Sequence, residues 1–398
     1  MAAKHYCQRS QARRIRLCAF KFVRVRGHER KHRFAQNVSS WIAGLSWVTP
    51  LGSGVDSVWQ RLLAGERPPL EKLQSEHSAR SYLVHRVPGH ASKNLPPHPR
   101  LRRASAISRF AAAAGLGAIA DAAVTPDVER TAVVFAISNG GVIYTRRFYS
   151  EIVKAGAQSA SPLLFPETVF NAPASHLAAI LGICGASYTV VGDGAVGILA
   201  LKLADDLLAA GEVDTCLVVA AEEIDSLVCE AYRQWRLLRN ARAPESRRGM
   251  IVSEGAGAVL LSRNAGGCEI EKIDPGSNFF RRAEATGKLR RTLEGLEVET
   301  ASFCIGSANG TFVDAAERSA LGENVRVYYP KLALGDSIGA SVLWQVIIAV
   351  QALRTRRLPE SVEPVRGSRA IVLACGVNQQ IGGLALCCED EKYRSALS

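Results

Sequence analysis

Short unbroken apolar runs alternate along the chain with longer stretches in which apolar residues return every third or fourth position. The runs TAVVFAIS (131–138), SYTVV (187–191), TCLVVAAEE (215–223), GAGAVLLSR (255–263) and AIVLACG (370–376) predict strands buried on both faces. ASFCIGS (301–307) and NVRVYYP (324–330) predict two more, and VSSWIAGLSWVTPLG (38–52) predicts an opening strand closed by a Pro/Gly turn. Helical spacing marks VDSVWQRLLAGE (55–66), the Ala-rich ISRFAAAAGLGAIADAAV (107–124), a segment starting near Pro173, AVGILALKLADDLLAAG (195–211) with its stop at Gly211, DAAERSALG (314–322) and Ile338–Leu353. YRQWRLLR (232–239) has the same spacing, with Trp235 expected in a core. Residues 67–104 are rich in Pro and charge and predict irregular structure. Apolar strands alternating with helices imply an α/β fold, a mostly parallel sheet covered on both faces.

The composition is that of a globular protein. It is 47% hydrophobic and 22% charged over 398 residues, which excludes disordered, collagen-like and fibrous chains and allows two or three domains. The formal net charge of +12 points on its own to a nucleic acid, a membrane surface or an acidic partner. Its distribution alters that reading. Residues 1–37 hold eleven Lys/Arg and one acid, Glu29, so +10 of the charge lies in this arm and the rest of the chain is close to neutral. Such an arm fits a nucleic-acid tail or a transit peptide, although a transit peptide is usually richer in Ser. We read it as a poorly ordered extension, with Val38 as an alternative start, and expect no nucleic-acid partner. There is no secretory signal, and no apolar run approaches the ~18 residues of a membrane span. No membrane span and a cytoplasmic location are therefore expected. The ten cysteines form no C-x-x-C pair and no zinc spacing, and are expected to be free, mostly buried thiols.

Residues 192–197 spell GDGAVG, a G-x-G-x-x-G pattern between a strand and a helix, with Asp214 twenty residues beyond Gly194 and Glu222 and Glu223 closing the next strand. Locally this matches a dinucleotide-binding turn. The alternative is that the glycines only permit a tight strand-to-helix turn. A position about 190 residues into the chain also weakens the nucleotide reading.

Taken in order, five segments resemble the β-ketoacyl synthases of the thiolase superfamily, over about nine-tenths of the chain from Val38 onward. IAGLSWVTPLGSGVDSVWQRLLAGE resembles the family's first strand, T-P-L-G turn and helix. SPLLFPETVFNAPASHLAAILGICGASYTVV resembles the segment leading to the nucleophile. GEVDTCLVVAAEE, GMIVSEGAGAVLLSR and PKLALGDSIGASVLWQVIIAVQALRTRRLP resemble the later G-x-x-D, G-E-G-A-G and P-K-x-x-x-G-H segments. The resemblance implies a thiolase-like fold, two similar halves of mixed sheet covered by helices in layers. Residues 38–265 and 266–398 are the expected halves, with 1–37 outside them.

The family's chemistry rests on a Cys nucleophile at a helix N-terminus and two His residues. All three positions are changed here. Where the family reads T-V-D-T-A-C-S-S-S, this chain reads TVVGDGAVG, and the Cys falls on Gly194. Cys184 precedes the strand and cannot take its place. The first His, in A-H-G-T, falls on Asn309 of ANGTFVDAAE, with two residues missing before Asp314. The second falls on Asp336, and Lys331 keeps the family's lysine. The C-terminal G-F-G-G-T-N loop is altered to CGVNQQIGG (375–383), keeping Gly376, Gly382 and Gly383. GDGAVG is then a ketosynthase nucleophile turn without its Cys, and no cofactor is implied.

By this resemblance the chain is expected to be a non-condensing, chain-length-factor-type subunit of fatty acid or polyketide biosynthesis. It would partner an active ketosynthase in a heterodimer, or itself in a homodimer, and meet an acyl carrier protein. The alternatives are an acyltransferase using Ser187, Ser253 or Cys304, and a binding module for acyl chains or carrier proteins. Carrier proteins are acidic, so the docking candidates are Arg100, Arg102 and Arg103; Arg281, Arg282, Lys288, Arg290 and Arg291; and Arg354, Arg356 and Arg357. The stretch 232–239 is a second candidate, for the acyl entrance or a dimer edge.

Overall fold

The computed structural model describes residues 40–388, except 77, 93–94, 265 and 323–324. The basic arm and Val38 lie outside the described residues.

Fourteen strands are present among these residues: β1 (Ser40–Thr49), β2 (Gly52–Ser53), β3 (Glu71–Gln74), β4 (Ser81–His85), β5 (Thr131–Ile137), β6 (Ser187–Val191), β7 (Thr215–Glu222), β8 (Val252–Ser253), β9 (Gly255–Ser262), β10 (Cys268–Asn278), β11 (Phe303–Ile305), β12 (Val327–Tyr328), β13 (Arg369–Cys375) and β14 (Gln380–Cys388). The main sheet runs β12-β11-β13-β14-β10-β1-β9-β7-β5-β6, with β2 folded back on β1. Outward from β1 the pairings with β9, β7, β5 and β6 are antiparallel, antiparallel, parallel and parallel. Outward from β10 the pairings with β14, β13, β11 and β12 repeat the same order. The two sets meet at the antiparallel pair β1–β10. The sheet is thus mixed and internally duplicated, not mostly parallel. Antiparallel partners sit in the middle of the path, and only its two ends have the parallel pairing that apolar strands between helices predict.

Strand periodicity distributes the core. In β5 and β7, Ala132, Val134, Ala136, Cys216, Val218 and Ala220 face one cluster. Their neighbours Val133, Phe135, Ile137, Leu217 and Val219 face another, against the helix Ala106–Asp121. The helices Val196–Ala209 and Ser341–Thr355 follow β6 and β12 and belong to the first cluster. Every residue from Ser341 to Leu353 is buried, so this helix is apolar all round. Gln345 Nε2 donates to the Gly306 and Leu373 carbonyls at 2.8 and 2.9 Å, while its Oε1 is buried without a hydrogen-bond partner.

Several expectations are corrected. Part of 67–104 is ordered as β3 and β4, which with β8 make a separate three-stranded sheet. The helix predicted over 232–239 is Ser226–Gln234, stopped by Arg236 at φ 58°. Trp235 at its end is half exposed rather than in a core. The strand over 324–330 shrinks to β12. Cys268 and Cys388 face each other in the β10–β14 register and form a disulfide, so not all thiols are free. No helix among the described residues is long and apolar enough to cross a membrane.

Candidate functional site

The connection from β6 to the helix Val196–Ala209 is only four residues long, and Gly194 lies in it. Backbone from the second half fills the space beside it. A Cβ at position 194 would stand 2.8 Å from Gly376 Cα, closer than such atoms approach, and at an ordinary contact distance of 3.5 Å from Gly376 N. The constraint is mutual, since a Cβ at Gly376 would collide with the Asp193 carboxylate. That carboxylate is buried. Its Oδ2 accepts the N–H groups of Asn378 and Gln379 at 2.9 Å each and of Gln380 at 3.4 Å. Gln380 closes the turn from the other side, its Oε1 accepting the Asp193 N–H at 2.7 Å. Cysteine, the family nucleophile, has no room at 194.

Asn309, Lys331 and Asp336 converge on one buried point. Asp336 Oδ2 accepts Asn309 Nδ2–H at 2.8 Å and lies 3.2 Å from Lys331 Nζ, with both charged side chains 2% exposed. The ammonium makes no aligned hydrogen bond, so its contact with Asp336 is Coulombic. Asp336 Oδ1 accepts the Ile338 N–H and the Ser341 hydroxyl, both at 3.0 Å. This holds Ile338, a β-branched residue, at φ 40°, a region such residues avoid. Asn309 Oδ1 accepts the Thr311 hydroxyl at 2.6 Å and its N–H at 3.2 Å. Asn309 and Asp336 are therefore both engaged in fixed structural bonds.

The two sets adjoin across the end of β13. The Cys375 carbonyl lies 3.7 Å from the place of a Gly194 Cβ. On the other side Lys331, Asp336 and Glu317 all act on the Cys375 thiol, whose pKa burial pushes far up. Two further buried acids secure the surrounding loops. Glu317 accepts the Ser307 N–H at 2.9 and 3.0 Å, and burial pushes its carboxyl up to about 8 against those hydrogen bonds and Lys331. Glu222 accepts the Ser138 N–H at 2.5 Å and the Asn139 N–H at 3.2 Å. It too is raised to about 8, chiefly by burial. A cleft of about 390 Å³ lies beside the turn, lined by Asn139, Asp193, Tyr232, Trp235, Asn378 and Gln379 among others. Trp235 meets the buried Tyr232 edge-on at 5.7 Å. The lining offers amides, one carboxylate, aromatic faces and the Ser138 hydroxyl.

The alternative nucleophiles are not assembled. Cys304 is wholly buried, and burial pushes its thiol well above the usual range. Ser253 is buried and its hydroxyl has no partner. Ser187 opens β6, at the far end of that strand from Gly194. Cys184 is exposed. Of the basic clusters, Arg281 and Arg282 lie nearest the cleft. Arg282 donates to the Trp235 carbonyl at 3.1 Å and stacks over Phe312 at 5.0 Å, with Phe280 beside it 83% exposed.

Sequence reasoning passed over Asp193, Ser307, Glu317 and Gln380. An acid entering a helix is a readable signal, but its partners are nearly 190 residues away.

A model of the β-ketoacyl synthase N-terminal domain matches residues 41–266, more than half of the chain. Among curated relatives, 3-oxoacyl-[acyl-carrier-protein] synthase I, chloroplastic, of Hordeum vulgare is 25% identical over 55% of this chain, which spans about half (52%) of that protein. 3-oxoacyl-[acyl-carrier-protein] synthase 2 of Vibrio cholerae is 22% identical over 81% of this chain and 87% of its own length. Among solved structures, the ishigamide ketosynthase/chain length factor superposes with a TM-score of 0.75 at 18% identity, covering 88% of this chain and 99% of that one.

Proposed function

We propose that this chain, which belongs to the β-ketoacyl synthase family, serves fatty acid or polyketide biosynthesis as a non-condensing subunit of the chain-length-factor kind. Its partners would be a cysteine-bearing ketosynthase and an acyl carrier protein. The observation that carries this reading is the closed position 194. The acyl acceptor is absent, and the Gly376 backbone occupies the space a side chain would need. With no thiol, no acyl-enzyme forms, and the condensation has no first step.

An exposed edge supports a partner. β6 ends the main sheet, with hydrogen-bonded neighbours on one side only. Val191 on it is 48% exposed. The helix Val142–Ala155 buries none of its residues and leaves Tyr149 and Val153 exposed. Phe165, also exposed, packs on Phe148 of that helix at 5.7 Å. An edge strand unpaired on one side among the described residues, and a set of exposed aromatic and aliphatic residues, are features of protein–protein interfaces. The Arg281–Arg282 patch with Phe280 and Trp235, at the cleft, suits the acidic surface of a carrier protein.

Two measurements test the proposal. The isolated chain incubated with radiolabelled malonyl and acyl thioesters should carry no covalent label, and stable acylation would overturn the reading. Co-expressed with a cysteine-bearing ketosynthase, it should co-elute as a heterodimer, and Val191→Lys should abolish that complex while leaving the monomer folded.

A further inference from the structure

The family pattern has Ala immediately before the nucleophile, and this chain has Asp193. Three successive backbone N–H groups, from Asn378, Gln379 and Gln380, converge on its Oδ2. A concave run of amides of this kind is an anion-binding site. The surroundings are shaped to the carboxylate. Gly376 has no Cβ where Asp193 Oδ2 lies, and Gly194 has none where Gly376 lies. The Gln380 side chain returns a bond to the Asp193 N–H, locking the turn and the loop together in both directions. Asp193 also lines the cleft, together with Asn139 and Trp235.

We propose that residues 376–380 form an anion-binding loop whose ligand is the chain's own Asp193 carboxylate. The tethered anion keeps external carboxylates out of the cleft, and its removal uncovers a site for a small carboxylate ion at the same amides. The proposal does not depend on the partnership argued above. A failure to find a ketosynthase partner leaves it standing, and its own failure leaves that partnership untouched.

The test uses the full chain, Asp193→Ala and Asp193→Asn, with sodium acetate as the probe, formamide as the neutral control and hydrogen exchange of residues 378–380 as the readout. Loss of a charge-assisted acceptor should speed exchange of these amides ~10-fold or more in Asp193→Ala. Acetate, and not formamide, should slow them again, while the unsubstituted chain shows no response to acetate. Asp193→Asn keeps an acceptor oxygen without the charge and should fall between the two. Exchange in Asp193→Ala at the original rate would overturn the proposal, as would acetate binding equally to both proteins. If Asp193→Ala does not fold, Asp193→Asn decides: faster exchange supports the proposal and unchanged exchange overturns it.

Discussion

The duplicated sheet sets two connections side by side for comparison. One runs from β6 to the helix Val196–Ala209, the other from β12 to the helix Ser341–Thr355, at the corresponding place in the second half. The first is four residues long and carries Gly194. It is too short to build anything of its own, and the loop 376–380 from the other half closes it. The second is longer, carries Lys331 and Asp336, and folds onto Asn309 to make a buried polar network. The two connections are closed in physically different ways. On one side the turn carries no side chain at 194 and backbone fills the space beside it. On the other, polar side chains are present and are bonded to one another as structure.

That difference can be broken experimentally, beginning with the largest effect. Asp336→Ala should cost about 3–5 kcal/mol, because it strands a buried ammonium and the Asn309, Ile338 and Ser341 donors. Urea denaturation measures this, and a loss under about 1 kcal/mol would show that the network is not structural.

Next comes pH, since each side leans on a buried glutamate raised to about 8, Glu222 beside the cleft and Glu317 beside Ser307. The folded protein then holds protons that the unfolded chain has released, so stability is full below the ordinary glutamate range and is lost as pH rises through about 8. The loss should be of the order of 2 kcal/mol per group. Glu222→Gln and Glu317→Gln should each flatten the profile, and a stability that rises from pH 5 to 8 would contradict the assignment.

Gly194→Cys should cost about 1–3 kcal/mol through overpacking against Gly376 and should still take no acyl label. A labelled, fully stable variant would show that the loop yields and that the loss is only of the thiol. The smallest effect is Thr311→Ala, which removes the cap on the helix Phe312–Leu321 and one bond to Asn309, for about 1 kcal/mol by thermal unfolding.

Most of the legible parts are those where burial is complete. β5, β7, β9 and β13 match their expected ranges within a residue or so, because strands covered on both faces are written as unbroken apolar runs. β6 matches too, although it is a half-buried edge strand, because SYTVV is β-branched and apolar. β10 was missed: CEIEKIDPGSN is buried only toward its start, and its charged positions hide the period. β14 was missed behind the glycines of 382–383. The helix Val142–Ala155 is absent from the sequence reading, although Val142, Ile143, Phe148, Tyr149, Ile152 and Val153 recur at helical spacing. Trp235 was placed in a core on spacing alone, but the helix stops before it. At the site, the identities of Gly194, Asn309 and Asp336 are legible in the sequence, and their correspondence to the family's Cys and His positions belongs to the proposal. That backbone closes on Gly194 and that Asn309 and Asp336 bond each other is not legible there.

Local composition alone determined the strand–helix grammar, the family resemblance and the identities of Gly194, Asn309 and Asp336, because each is a property of short segments. Tertiary structure alone decided that no side chain fits at 194, that Asp193 fills the loop 376–380, and that Asp336 serves Asn309, Lys331, Ile338 and Ser341 together. The first two depend on segments some 185 residues apart meeting at hydrogen-bond and van der Waals distance. The third depends on the segment 331–341 folding onto Asn309, and sequence spacing carries no record of either meeting.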